Sequence, residues 1–190
     1  LDASVLAALP VPDNNLETYS IFRTEIIARE APMMYITYAE VLLMQAEAAV
    51  RGWGPGDPAT LYNQAVHAGM NQWSIFGIDV PDTATIDAYL AARPYDAANG
   101  LEMIGTEYWL TTYMNWYETW SNSRRTGYPV LTPVVYNGGD NVSGIIPTRF
   151  SYPDAEYSLN TQSIQEAVSR IPSGKDDFNA TVWWDVSQTN

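Results

Sequence analysis

The sequence has no cysteine. That excludes disulfides, zinc-thiolate sites and thiol nucleophiles within it. It has one histidine, and nine Lys and Arg stand against 22 Asp and Glu, a net charge of −13. Affinity for nucleic acid comes mostly from cations that displace phosphate counterions, and so few scattered cations cannot supply it. The same acidity argues against direct adhesion to an anionic membrane surface. No apolar run reaches the ~18 residues that a membrane helix needs. The opening stretch "LDASVLAALPVPDNN" has neither an initiator Met nor a basic leader region. It reads as a processed or cut end, so a longer protein is expected.

What is abundant is amphipathic aromatic surface: seven Trp and thirteen Tyr against four Phe in 190 residues. Such side chains serve both deep cores and ligand platforms. The length suits about one domain, able to bury roughly two thirds of its unfolded surface.

Residues 1–31 show no clear period, and "LPVPDNN" is turn material. In "MMYITYAEVLLMQAEAAVRG" the residues Met34, Tyr38, Val41, Leu42 and Gln45 recur at helical spacing, with Ala46 and Ala49 completing a stripe. The breakers of "GWGPGDP" stop this helix near Gly52. Asp57 and Pro58 start the next, as N-cap and first helical residue, with Leu61, Ala65, Gly69 and Trp73 on one face. The pair over 33–73 makes a tetratricopeptide-type helical hairpin, present in one good copy, which must stack on something else to bury its faces.

A third helix is expected in "VPDTATIDAYLAAR", capped by Asp82 or Thr83, and "YDAANG" is a loop. The stretch 101–126 reads as one long helix. Its apolar residues, among them Met103, Ile104, Tyr108, Trp109, Tyr113, Trp116, Tyr117 and Trp120, surround the axis. A helix apolar all round is a buried one. The "WYETWSNSRRTGYPVL" segment at its end is therefore assigned to the core rather than to a basic aromatic surface. Arg124 and Arg125 meet the negative end of the helix dipole, Gly127 takes the left-handed position after it, and Pro129 prevents continuation. At least one of these arginines is expected to bond carbonyls or a carboxylate from "SYPDAEY". Residues 128–190 read as mostly irregular. A strand and tight turn are expected at Val134–Asp140, and a short helix near Thr161–Ser169. The fold class is mainly α, with an irregular, partly stranded C-terminal segment.

Five segments, in order, carry a resemblance. "YITYAEVLLMQAEAAVRG", "LYNQAVHAGM", "ETWSNSRRTGYPVL", "IPTRFSYPDAEYSLN" and "TVWWD" resemble the C-terminal portion of SusD/RagB-like proteins. Where a paired arginine is common in that family, "PTRF" leaves only Arg149, to which the resemblance gives a structural place. It implies that 1–190 is the C-terminal part of a SusD-like domain. It further implies a lipid-anchored protein on the outer face of the outer membrane of Bacteroidetes-type bacteria. Such a protein binds glycans, or peptides, and covers a TonB-dependent, SusC-like transporter as a lid. The helical repeats would face the transporter, the anchor would lie outside this chain, no cofactor is implied, and the family is not enzymatic.

Other chemistry is weakly supported by the residues. His67, mid-helix, has no visible catalytic or metal partners. The carboxylate pairs Asp154/Glu156 and Glu102/Glu107 are candidates for glycoside hydrolysis, but pairs arise by chance among so many acids. "GIDVPDTATID" and "GGDNVSG" offer oxygen ligands without the EF-hand order. Ligand binding calls for loop aromatics beside amides. Trp53 in "RGWGPGD", Trp73 beside Asn71 and Gln72, and Tyr136 with Asn137 meet that description. The rival readings are a fragment of a helical glycoside hydrolase and a helical-repeat scaffold that binds protein only.

Overall fold

The structure is a computed structural model that describes residues 21–133 and 144–185. Among these residues every regular element is helical. The first, α1, spans Tyr38–Val50. It starts later than the apolar spacing suggests, because a capping box sets its end. The Thr37 hydroxyl accepts from Glu40 N, and Glu40 Oε2 accepts from Thr37 N at 2.7 Å. Its buried stripe is Ala39, Leu42, Leu43 and Ala46. The expected stripe through Tyr38, Val41 and Gln45 is corrected: these three face solvent. Both sets have helical spacing, and only packing decides which face turns inward.

Helix α2 spans Pro58–Asn71. Asp57 caps it, accepting from Thr60 N at 2.8 Å. Tyr62, Ala65, Val66 and Gly69 form its buried face, which packs on α1 as a helical hairpin. A 3₁₀ turn, Gln72–Phe76, follows. Helix α3, Thr83–Ala92, is capped by Asp82 and buries Ile86. A short 3₁₀ turn at Ala97–Asn99 leads into α4, Gly100–Thr111, which packs on both helices of the hairpin. Leu42, Leu43, Ala46, Tyr62, Ala65, Val66, Ile86, Ile104 and Tyr108 make one continuous core.

The single buried helix expected over 101–126 is corrected to two. The chain breaks after Thr111, with Met114 at φ 79°, and α5 runs Trp116–Thr126. Two buried hydroxyls hold the corner. Thr112 Oγ1 lies 2.9 Å from Thr119 Oγ1, and Thr119 Oγ1 reaches the Asn115 carbonyl at 2.9 Å. Each short helix then needs only one buried stripe, so its other aromatics turn outward. Trp116 is 56% exposed and Tyr117 77%, against their assignment to the core. Gly127, at φ 77°, ends α5 in the left-handed region that a side chain would resist.

Beyond it, α6 covers Asp154–Leu159 and α7 Thr161–Ser169, the latter as the sequence suggests. Residues 144–185 contain no strand; Thr148 N donates to the Phe178 carbonyl at 2.8 Å as an isolated tie. The strand and turn expected at Val134–Asp140 lie outside the described residues. No helix among the described residues is long and apolar enough to cross a membrane.

Candidate functional site

Trp53 is placed by the way α1 ends. Gly52 takes φ 71°, Gly52 N donates to the Ala49 carbonyl at 3.1 Å and Trp53 N to the Ala48 carbonyl at 2.8 Å. That is a Schellman closure, which turns the next side chain back over the helix. The indole is 74% exposed, and the Arg51 guanidinium lies 5.1 Å from its ring centroid. Arg51 Nε also donates to Glu47 Oε1 at 2.8 Å.

Glu47 is the hinge of this corner. Arg125, from the end of α5, grips it in a bidentate pair at 2.6 and 2.7 Å. The Arg125 bonds, then those of Arg51, hold the Glu47 carboxyl below its ordinary range against the opposing effect of burial. Trp53, Met44, Glu118 and Arg125 wall a cavity of about 370 Å³ above this pair. It offers an aromatic face beside charged hydrogen-bonding groups.

Trp73 lies elsewhere. It is partly buried in an aromatic cluster, stacked on Phe76 at 5.8 Å and tilted against Tyr113 at 6.2 Å. With Tyr89, Glu107, Leu110 and Gly69 it lines a second cavity, of about 280 Å³, between α2, α3 and α4. Trp53 and Trp73 thus belong to two separate cavities. Asn71 is exposed at the end of α2, while Gln72 turns inward and donates to the Thr111 carbonyl at 2.9 Å. Tyr136 and Asn137 lie outside the described residues.

The arginines have partners other than those expected from "SYPDAEY". Arg124 lies between the Trp120 and Trp184 rings, 4.6 Å from each centroid, and donates to Asp185 Oδ2 at 3.2 Å. Arg125 pairs with Glu47, as above. Arg149 donates to Asp176 Oδ1 at 2.6 Å and to the Asp177 carbonyl at 3.2 Å. Asp176 also accepts from the Tyr157 hydroxyl at 2.7 Å and from Tyr152 N at 2.9 Å.

His67 contacts Asp87 Oδ1 at 2.9 Å across α2 and α3. Of the weighed carboxylates, Glu102 is exposed while Glu107 is buried on the same helix, so the two do not face one reaction centre. Glu107, Tyr89 and the Glu47–Arg125 pair were not singled out by sequence as binding groups. One signal was present: Glu107 occupies the stripe of Ile104, Tyr108 and Thr111, where an acid is out of place.

A family model described as SusD-like, starch-binding and associating with the outer membrane matches residues 9–153. Among solved structures, the chain is similar to a chitin-binding protein, with 39% identity and a TM-score of 0.77 over 87% of this chain and 36% of that one. It is also similar to a SusD-like protein of Bacteroidetes AC2a, at 32% identity and a TM-score of 0.69, over 80% of this chain and 30% of that one. A SusD homologue from Bacteroides fragilis matches at 30% identity and a TM-score of 0.61, over 77% and 34%. The chain therefore spans about a third of the length of these structures. No curated protein matches it.

Proposed function

The chain belongs to the SusD-like family, and on that premise we propose that the whole protein binds an oligomeric nutrient at the cell surface. It holds a glycan, or a peptide, without changing it and delivers it to a TonB-dependent, SusC-like transporter. The observation that carries this reading is the match of residues 9–153 to a family described as starch-binding and associating with the outer membrane. The likeness to a chitin-binding protein at 39% identity supports a glycan as the first ligand class to try.

In this reading residues 1–190 are the C-terminal part of the SusD-like domain. The α1–α2 hairpin is a tetratricopeptide-type scaffold facing the transporter. A lipid anchor outside this chain fixes the protein to the outer membrane. Trp53 and Trp73 are stacking platforms for sugar rings, whose C–H faces suit an indole. Asn71, Tyr136 and Asn137 supply hydrogen bonds, while the inward-turned Gln72, expected from the sequence to join them, ties the end of α2 to Thr111 instead. Arg124, Arg125, Gly127 and Arg149 hold the frame.

Calorimetry on the intact protein tests it, with starch-type and chitin-type oligosaccharides and peptides, for wild type, Trp53→Ala and Trp73→Ala. Binding without product is expected, weakened by about 1–2 kcal/mol in a variant whose platform contributes. Product formation during the titration would overturn the non-enzymatic reading. Full affinity in both variants, beside clear binding by wild type, would move the site away from these two residues.

A further inference from the structure

Glu107 is 7% exposed, and its carboxylate, whose oxygens still reach solvent, makes no hydrogen bond or ion pair among the described residues. Burial holds this carboxyl above its ordinary range. A buried carboxylate without a partner is costly, and folds normally pair it. Arg93 lies over the Tyr89 ring, its guanidinium 5.5 Å from the centroid, and makes no ion pair with Glu107. One turn on, the Thr111 hydroxyl is fully buried without a partner. Both residues line the cavity of about 280 Å³ between α2, α3 and α4, with Trp73 and Tyr89 among its other walls. That volume is near the lower end of the roughly 300–1,000 Å³ of small-molecule pockets, room for one unit of a chain rather than several.

The chemistry of these walls selects among ligands. A neutral hydroxyl would give the Glu107 carboxylate one hydrogen bond, whereas a cationic donor gives that bond and neutralises the charge in a site sheltered from water. Aromatic faces attract cations as well. The net charge of −13 favours the approach of a cation over that of an anion. We infer that this cavity is a subsite for a ligand unit carrying a primary ammonium, with Glu107 as its carboxylate partner and Trp73 and Tyr89 as its aromatic walls. The inference rests on the nutrient-binding reading and narrows it to units with a free amine: an amino sugar, or a lysine side chain of a peptide.

The test uses the intact protein and two matched ligand pairs, titrated at about pH 6 so that the amines are protonated. One pair is a glucosamine tetramer and its N-acetylated counterpart. The other is a lysine tripeptide and its acetyl-lysine counterpart. The inference expects the free amine to bind at least ten-fold tighter in one pair. It expects Glu107→Gln, close in shape but uncharged, to remove that preference while binding of the acetylated partner is kept. Preference confined to the first pair assigns an amino sugar, and preference confined to the second assigns a peptide. Equal affinity within both pairs, or a preference that survives Glu107→Gln, overturns the subsite while leaving nutrient binding in place. Absence of binding to these ligands and to neutral oligosaccharides alike overturns the nutrient-binding reading itself, and the subsite with it.

Discussion

Between Tyr38 and Thr111 the helices are joined by aliphatic and aromatic side chains that interlock at spacings of three and four residues, with Leu43, Val66 and Ile86 fully enclosed. Residues 144–185 bury little of that kind: Ile164 and Ala180 are the buried apolar side chains described there. They are held instead by arginines, Arg149 on Asp176 and Arg124 on Asp185. Arg124 is further sandwiched between Trp120 and Trp184, and Trp120 Nε1 donates to the Pro147 carbonyl at 3.3 Å. The difference lies in cooperativity. Apolar packing is shared among many neighbours and fails as a unit, while an ion pair concentrates its contribution in two groups and releases one segment when it breaks.

The sharpest way to break this comparison is to damage the apolar half. Leu43→Ala leaves a cavity at the contact of α1 with the other helices, and a loss of about 3–5 kcal/mol is expected. Denaturant unfolding of the intact protein should show the whole helical region moving to a lower midpoint together. A fall confined to the C-terminal residues would contradict a shared core.

Arg149→Ala should cost less, about 2–3 kcal/mol, because it strips one partner from a mostly buried pair at the edge of the fold. Its signature is local. Limited proteolysis should open cleavage within 144–185 while α1, α2 and α4 stay protected in hydrogen exchange. Equal loss of protection in both regions would mean that the arginine clamp belongs to the core after all.

Arg125→Lys tests the join between the two regimes, since Arg125 binds Glu47 of α1 from the end of α5. Lysine cannot make the bidentate bond, so a loss of about 1–2 kcal/mol is expected at neutral pH. The Glu47 carboxyl is held low by Arg125 and then Arg51. Its contribution is thus fully present above the ordinary carboxylate range and is lost as pH falls through its lowered value. The lysine variant should converge on wild type in acid. A gap that stays constant down to about pH 2 would rule out this linkage.

The smallest expected effect has the opposite sign. Glu107 has its carboxyl raised by burial, so its ionisation opposes folding as pH rises from the ordinary carboxylate range through the raised value. Glu107→Gln should therefore melt slightly higher than wild type at pH 7 and equal it near pH 3, where both side chains are neutral. A lower melting temperature at pH 7 would show that the charge is compensated by a partner.

Much of the helical frame was legible in the sequence because its signals are local. Asp57 and Pro58, Asp82 and Gly127 act on backbone groups within four residues, and each does so in the structure. The end of α1 at Gly52 and the place of α7 are equally local. The break between α4 and α5 was not legible. It has no Gly or Pro, and it depends on the hydroxyls of Thr112 and Thr119 meeting across the corner. Once it exists, the Trp and Tyr residues thought to surround one buried helix sort into inward and outward sets.

Residue type and short spacing alone determined that the chain forms short capped helices, that it carries a large acidic excess, and that Trp53 follows a helix-ending glycine. Tertiary structure alone decided which face of α1 is buried, that Trp53 and Trp73 line different cavities, and that Arg124 and Arg125 find Asp185 and Glu47 at separations of 61 and 78 residues. The same holds for Glu107, an ordinary acid in the sequence that α2, α3 and α4 together enclose. The physical reason is reach. A cap or a helical stripe is settled by bonds that span one turn, whereas the partner of a charge and the exposure of a ring depend on which distant elements pack beside them.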